Sequence, residues 1–331
     1  MKDWSMKWII ICLWCLLPIA MYVHIIAGQI EVSFASFYQA VFHFDANDTM
    51  QVLVREFRIP RLLMAMMAGA GLSLSGMLMQ TLFKNPLAGP YVLGINSGAS
   101  LLMAISLMTG IQFFQSNFGL IGTAFIGAFG AGILMMSVAQ RLRSQLSLLL
   151  VGLMFGSFTS AFVSIIESLA GADSLKSFTM WSMGSLQQVE FGQLGAIVLI
   201  FCIALVFAFL LVKPLNLLVI GEKPAQLLGL SIKKTRRSVL LLTALFAGLI
   251  TAFCGPIAFV GMAIPNLTRL LFQTTNHRHL ILGNLLIGAI FLLLMDAFIQ
   301  VLEAFISLPL NAITSIVGAP FVVFLLIRKL K

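Results

Sequence analysis

Apolar runs of about twenty residues recur along this chain, and they constrain it more than any other feature. A membrane-spanning helix needs about 20 predominantly apolar residues to cross a hydrocarbon core about 30 Å thick. Such runs fall at about 8–28, 60–83, 91–109, 118–139, 146–169, 191–212, 238–255, 257–273, 280–303 and 312–328. Of 331 residues, 60 % are apolar or aromatic and 9 % are charged, against about 25 % charged in a soluble domain. A soluble enzyme, a disordered chain and a nucleic-acid-binding domain are excluded. The net charge of +9 does not revive the last of these, because the cations lie in short segments between the runs and form no single stripe. The expectation is an all-α polytopic membrane protein, with about ten transmembrane helices in one compact bundle and a single transmembrane domain over residues 1–331.

The first run follows Lys2 and Lys7, as a secretory signal would. It is long for a signal core and no small-residue cleavage site closes it, so it reads as a helix. Runs seven and eight are divided by Gly255-Pro256, and Pro265 interrupts the eighth, so nine spans with one kinked helix is the competing count. Charge decides for ten. With the N-terminus inside, only Arg55, Arg58, Arg61 and Lys176 of the 20 Lys and Arg residues fall in outer segments. That is the asymmetry of the positive-inside rule, and it places both termini in the cytoplasm. Merging 238–273 into one span would put the basic segments 269–279 and 328–331 on opposite sides.

Small residues crowd the runs, as with Gly69, Gly71 and Gly76 in the second and Gly152-x-x-x-Gly156 in the fifth. In lipid, such residues let helix backbones approach closely. The four cysteines, Cys12, Cys15, Cys202 and Cys254, all lie inside apolar runs. Cys12-x-x-Cys15 has no second pair and no histidine cluster beside it, so it reads as packing and not as a metal or redox site.

Three features carry chemistry. The segment 213–237, KPLNLLVIGEKPAQLLGLSIKKTRR, interleaves Leu217, Leu218, Ile220, Leu227, Leu228 and Leu230 with basic residues. It is either an interfacial helix on anionic lipid or a docking element for a cytoplasmic partner. The outer segment REFRIPR (55–61) clusters three cations against the charge trend. These meet lipid headgroups, or they form a rim for an acidic extracellular partner. His24, Glu167, Asp296 and Glu303 are the ionisable residues within spans, and Asp296 is the deepest. It is a functional candidate by default; the plainer reading is a packing carboxylate bonded to Ser, Thr or backbone of a neighbouring helix. No phosphate loop, zinc pattern or nucleophile motif occurs in the chain.

At RIPRLLMAMMAGAGLSLSGMLMQTLFKNPLAGPYVLGINSGAS (58–100) the chain resembles the permease family of ABC importers for iron–siderophore complexes, haem and cobalamin. The pattern is carried by Arg58, Pro60, Arg61, Ser75, Gly76, Gln80, Asn85, Pro86, Leu87, Ala88, Pro90, Leu93, Gly94, Gly98 and Ala99. A second block, CGPIAFVGMAIPNLTRLL (254–271), is similar to the family's G-x-I-x-F-V-G-L-x-x-P-x-x-x-R, and the likeness continues through LPLNAITSIVGAPFVVFLL (308–326).

The resemblance implies a type II ABC importer permease. Two permease subunits, identical or different, would surround a pathway, with two cytoplasmic ATPase subunits beneath and an extracytoplasmic substrate-binding protein above. It implies no cofactor in this chain, ATP and Mg in the partner, no catalysis by the chain itself, and a bacterial cytoplasmic membrane. Arg58 and Arg61 sit where the family's outer arginines pair with the binding protein. Ala225, Leu228 and Gly229 match its A-x-x-L-G ATPase-docking segment, with Ala225 and Leu228 expected on one helical face. Ser144 and Gln145 fall where it places an inner gate. Three positions depart from the pattern: Gln300 replaces an outer arginine, Ser307 a glutamate and Asn311 a glycine. The alternative class is a secondary carrier or channel without ATPases, which would show several pathway charges and no docking loop.

Overall fold

The computed structural model describes residues 2–28, 30, 32–108, 117–142, 145–303, 305–306 and 308–330. Among them the chain is all helical, and each expected apolar run contains one main helix. These are α1 (Lys2–Ile26), α4 (Ile59–Phe83), α5 (Ile95–Met108), α6 (Asn117–Arg141), α7 (Gln145–Leu169), α9 (Leu194–Leu210), α12 (Ile232–Cys254), α13 (Val260–Phe272), α14 (His277–Leu302) and α15 (Leu310–Leu330). Between them lie shorter helices: α2 (Phe34–Phe42), α3 (Thr49–Leu53), α8 (Ala172–Ser182), α10 (Val212–Ile220) and α11 (Glu222–Leu227). Among the described residues, seven helices are long and apolar enough to cross a membrane, and α5, α13 and the 310–324 stretch of α15 are shorter apolar helices.

Helix α4 is the axis of the bundle, buried on nearly every side from Pro60 to Phe83. It packs against α14, α12 and α13. The α4–α14 crossing is set by two glycines, since a Cβ built on Gly69 would lie 2.0 Å from the Gly288 carbonyl oxygen. No side chain fits there, and the two backbones touch. Gly98 of α5 and Gly127 of α6 repeat the arrangement, with a Cβ on Gly98 falling 2.4 Å from the Gly127 carbonyl. The polar residues inside the bundle pair across helices, as where Ser73 Oγ of α4 donates to Asn284 Oδ1 of α14 at 2.6 Å. Such bonds hold helices together where lipid offers no hydrophobic driving force.

Two boundaries differ from the sequence reading. Helix α12 begins at Ile232, six residues before the expected span, because Lys233 to Arg237 continue the helix past the apolar zone. Helix α13 is only 13 residues long, about 20 Å, and the segment 255–259 before it is not helical. That segment is tied down by protein. A Cβ on Gly255 (φ 69°) would meet the Trp181 carbonyl at 2.3 Å, and Asn311 Oδ1 accepts from the Ala258 N–H at 3.0 Å. Irregular backbone at membrane depth is tolerated when protein satisfies it. Asn311, a departure from the family pattern, thus fastens the α12–α13 joint to α15, and its own N–H donates to the Met183 carbonyl at 3.1 Å.

Candidate functional site

Chemistry-bearing residues collect at the two ends of α4, separated by its 25 residues, about 37 Å. At the first end, Pro60 stands in the first turn of α4 and a π-helical turn, Val54–Arg58, feeds into it. Such bulges are frequent at functional sites. This turn points Arg58 and Arg61 at α14, which runs antiparallel.

Arg61 makes a forked pair with Asp296. Its Nε donates to Oδ2 at 2.7 Å and one Nη to Oδ1 at 3.0 Å, and the same Nη reaches Glu303 Oε1 at 2.9 Å. Two parallel N–H···O bonds add direction to attraction. Asp296 also accepts from Gln300 Nε2 at 3.1 Å and sits 2.8 Å from His24 Nε2 of α1. A carboxylate gripped by a guanidinium can only accept, so the His24 proton lies on Nε2. His24 Nδ1 is then buried with no hydrogen-bond partner. Arg58 donates to Gln300 Oε1 and to the Ala27 carbonyl, and to the Ile30 carbonyl at 3.2 Å. Gln187 Nε2 closes the far side on Glu303 at 2.9 Å. The cluster knots α1, α4, α14 and the 183–190 loop together.

The expected outward rim is therefore turned inward in this conformation. The Arg61 side chain is 11 % exposed and Asp296 3 %, and Arg55 lies over the Phe44 ring at 4.1 Å. Asp296 takes its partners from Arg, His and Gln side chains, in place of the Ser, Thr or backbone groups expected of a packing carboxylate. Gln300, which replaces a family arginine, is itself inside the knot. Nothing in the sequence context of Gln187 marks it as part of this cluster. His24 and Glu303 were visible only as ionisable residues within spans. Beside the knot, a cavity of about 700 Å³ opens between α5, α6 and α8, lined by Met103, Leu107 and Trp181 with Asp173, Gln187 and Glu190.

At the other end of α4, Gln80 ties together both sequence blocks that carried the resemblance. Its Nε2 donates to the Pro86 carbonyl at 2.8 Å, and its Oε1 accepts from Arg269 at 2.6 Å. Asn266 Nδ2 donates to the same Pro86 carbonyl at 2.8 Å. Thr81 Oγ1 lies 2.9 Å from His277 Nε2, whose Nδ1 lies 2.8 Å from Asn216 Oδ1 of α10.

The expected amphipathic segment 213–237 becomes α10, the six-residue α11 and the first turns of α12. Helix α11 ends in a Schellman motif: the Leu230 N–H bonds the Ala225 carbonyl and the Gly229 N–H the Gln226 carbonyl, both at 2.9 Å. Gly229 has φ 85°, which suits glycine. Ala225 and Leu228 do not share an outward face. Ala225 is fully buried, whereas Leu227 is 90 % and Leu228 63 % exposed. The six-residue helix packs against α10 and α12 with Ala225 inward, so the outward surface is Leu227–Leu228. Ser144 and the Gln145 side chain lie outside the described residues, as does Ser307.

The model of the FecCD transport family matches residues 16–328. The chain belongs to the FecCD transport family. This FecCD-family chain is 32 % identical over 312 residues to the hemin transport system permease protein HmuU of Yersinia pestis, covering 91 % of the chain and 90 % of that protein. It is 34 % identical over 280 residues to the vitamin B12 import system permease protein BtuC of Salmonella arizonae, with 84 % of each covered. A probable iron chelatin transport system permease protein of Helicobacter pylori is 32 % identical over 287 residues, 86 % of each. Among solved structures it is similar to an ABC transporter described as metal-chelate type, in an inward-facing conformation. The TM-score is 0.86 at 28 % identity, over 97 % of this chain and 99 % of that one. The FecCD-family chain is a multi-pass membrane protein of a transport-permease family.

Proposed function

We infer that the chain is the membrane-spanning subunit of an ATP-driven importer that carries an iron chelate, a ferric siderophore or haem, across a bacterial cytoplasmic membrane. The observation that carries this reading is the Schellman-capped α11. It holds two leucines in the open at the basic end of the bundle, where apolar side chains call for a partner. Two ATPase subunits are that partner for a pair of permeases, and they hold the ATP and Mg. The chain supplies the pathway and makes no bonds in its cargo. Residues 1–331 act as one transmembrane domain, with both termini cytoplasmic by the charge asymmetry.

The iron-chelate reading draws on the hemin and iron chelatin permeases among the relatives, whereas the vitamin B12 permeases keep a cobalt chelate as the competing cargo. Arg58 and Arg61 serve an extracytoplasmic binding protein in this reading by exchanging internal partners for its carboxylates. Ser144 and Gln145 form the inner gate. The test is reconstitution of the permease pair with its ATPase and binding protein in proteoliposomes. ATP-dependent accumulation of ferric siderophore or haem, without cobalamin uptake, is the expected result. Cobalamin uptake alone overturns the cargo, and uptake without ATP overturns the mechanism.

A further inference from the structure

The basic end of the bundle holds a cavity that the transport reading leaves unused. Residues at the end of α6 and the start of α12 line a space of about 370 Å³. Its wall has two chemistries. Met136 of α6 and Leu240 of α12 line it toward the apolar zone, and Arg141, Lys233, Arg236 and Arg237 line the rim. The spacing explains the collection, because residues three and four apart on a helix share a face. Lys233, Arg236, Arg237 and Leu240 of α12 therefore turn together toward α6, whose end brings Arg141. No acidic residue is among the described residues that line it.

Arg236 donates to the Leu142 carbonyl after α6 and to Glu222 Oε1 of α11, both at 3.4 Å. The Arg236 side chain is 16 % and that of Glu222 37 % exposed, and a pair as long as 3.4 Å with one end in solvent is weak. Arg141, Lys233 and Arg237 are exposed around the same opening. Four cations gathered at one opening are an anion site in waiting, and the apolar wall beneath them does not suit a free anion.

We propose that this cavity binds the phosphate headgroup of an acidic phospholipid, with the glycerol end of its acyl chains against the half-buried Leu142. Basic pockets between spanning helices hold anionic headgroups in this way. The cavity opens at the ends of two spanning helices, where headgroups sit. Gln226 of α11 also lines it, so an occupied site braces the helix that presents Leu227 and Leu228. The assignment to the inner leaflet rests on the orientation proposed above; the binding chemistry does not.

The experiment uses the purified full chain in detergent, titrated with phosphatidylglycerol, phosphatidylcholine and inorganic phosphate and read by native mass spectrometry. Each cation near an anionic headgroup is worth about fivefold in affinity, so Lys233→Gln with Arg237→Gln should weaken phosphatidylglycerol binding roughly 25-fold. Lys223→Gln with Lys234→Gln removes the same charge from exposed neighbours outside the cavity and should leave binding within about twofold. Equal losses in the two pairs would replace the site with diffuse surface attraction. Inorganic phosphate binding as tightly as phosphatidylglycerol would make it a soluble-anion site and overturn the lipid. An acidic face of the ATPase taking the cavity would appear as displacement of bound lipid on complex assembly, and would overturn it too. Reporter fusions at 85 and 225 test the orientation separately.

Discussion

Arg61 and Asp296 form a forked ion pair across the α4–α14 contact, although 235 positions separate them in the chain. The pair is nearly sealed from solvent, with His24 and Gln300 occupying the remaining approach to the carboxylate. Removing one partner leaves the other buried and uncompensated, whereas an apolar replacement of both is often tolerated. Asp296→Ala should therefore cost about 3–5 kcal/mol, read as a lowered thermal unfolding temperature in detergent. Arg61→Met combined with Asp296→Leu should recover most of that loss. An unchanged transition in the single variant would show that Glu303 alone satisfies Arg61.

The glycine crossing predicts a second effect on folding. Gly69→Leu drives a side chain into the Gly288 carbonyl and should reduce the folded yield, at a cost of about 1–3 kcal/mol or more. Gly122→Ala is the control, since nothing lies within 4 Å of a Cβ at that position. Equal yields of the two variants in fluorescence-detected gel filtration would mean that α4 and α14 separate without strain.

Coupling should follow the exposed leucines. Leu227→Glu with Leu228→Glu should abolish stimulation of ATP hydrolysis by loaded binding protein, with folding intact. Gly229→Val forces a branched side chain into a left-handed turn, at about 1–2 kcal/mol, and should lower stimulation partly. Ala225→Glu buries a charge and should reduce expression itself. Full stimulation in the double leucine variant would leave α11 as a helix resting on lipid.

Topology is the fourth test. Reporters at 85, 225 and 275 should read cytoplasmic, and those at 45 and 178 external. A cytoplasmic signal at 178 would break the ten-helix arrangement, because α8 belongs to the end that carries Arg61 and Glu303.

Periodicity and run length made the spans legible, since apolar length is a local property. Gly255-Pro256 marked the break before α13, but the helix starts at Val260 and not at 257, because 257–259 stays apolar while its backbone is held by Asn311. The inward roll of Ala225 was hidden for a different reason. A six-residue helix has no orientation of its own, and its contacts with α10 and α12 decide which side faces out. The Arg61–Asp296 pair was invisible because spacing along a chain says nothing about partners on antiparallel helices. Only the rarity of ionisable residues within spans marked Asp296 in advance.

Backbone-to-backbone contact at Gly69 and Gly288 has a kinetic consequence. Helices that meet through side chains can slide by changing rotamers, but two touching backbones offer no such slack. Together with the polar knot at one end and the Gln80–Arg269 contact at the other, this makes α4, α13 and α14 a single stator. Any rocking that opens one face of the membrane and closes the other must then carry α4, α13 and α14 as one piece. Helices α7 and α15 carry exposed apolar residues outside that unit, Met154 and Phe158 on one and Ile316 and Phe324 on the other.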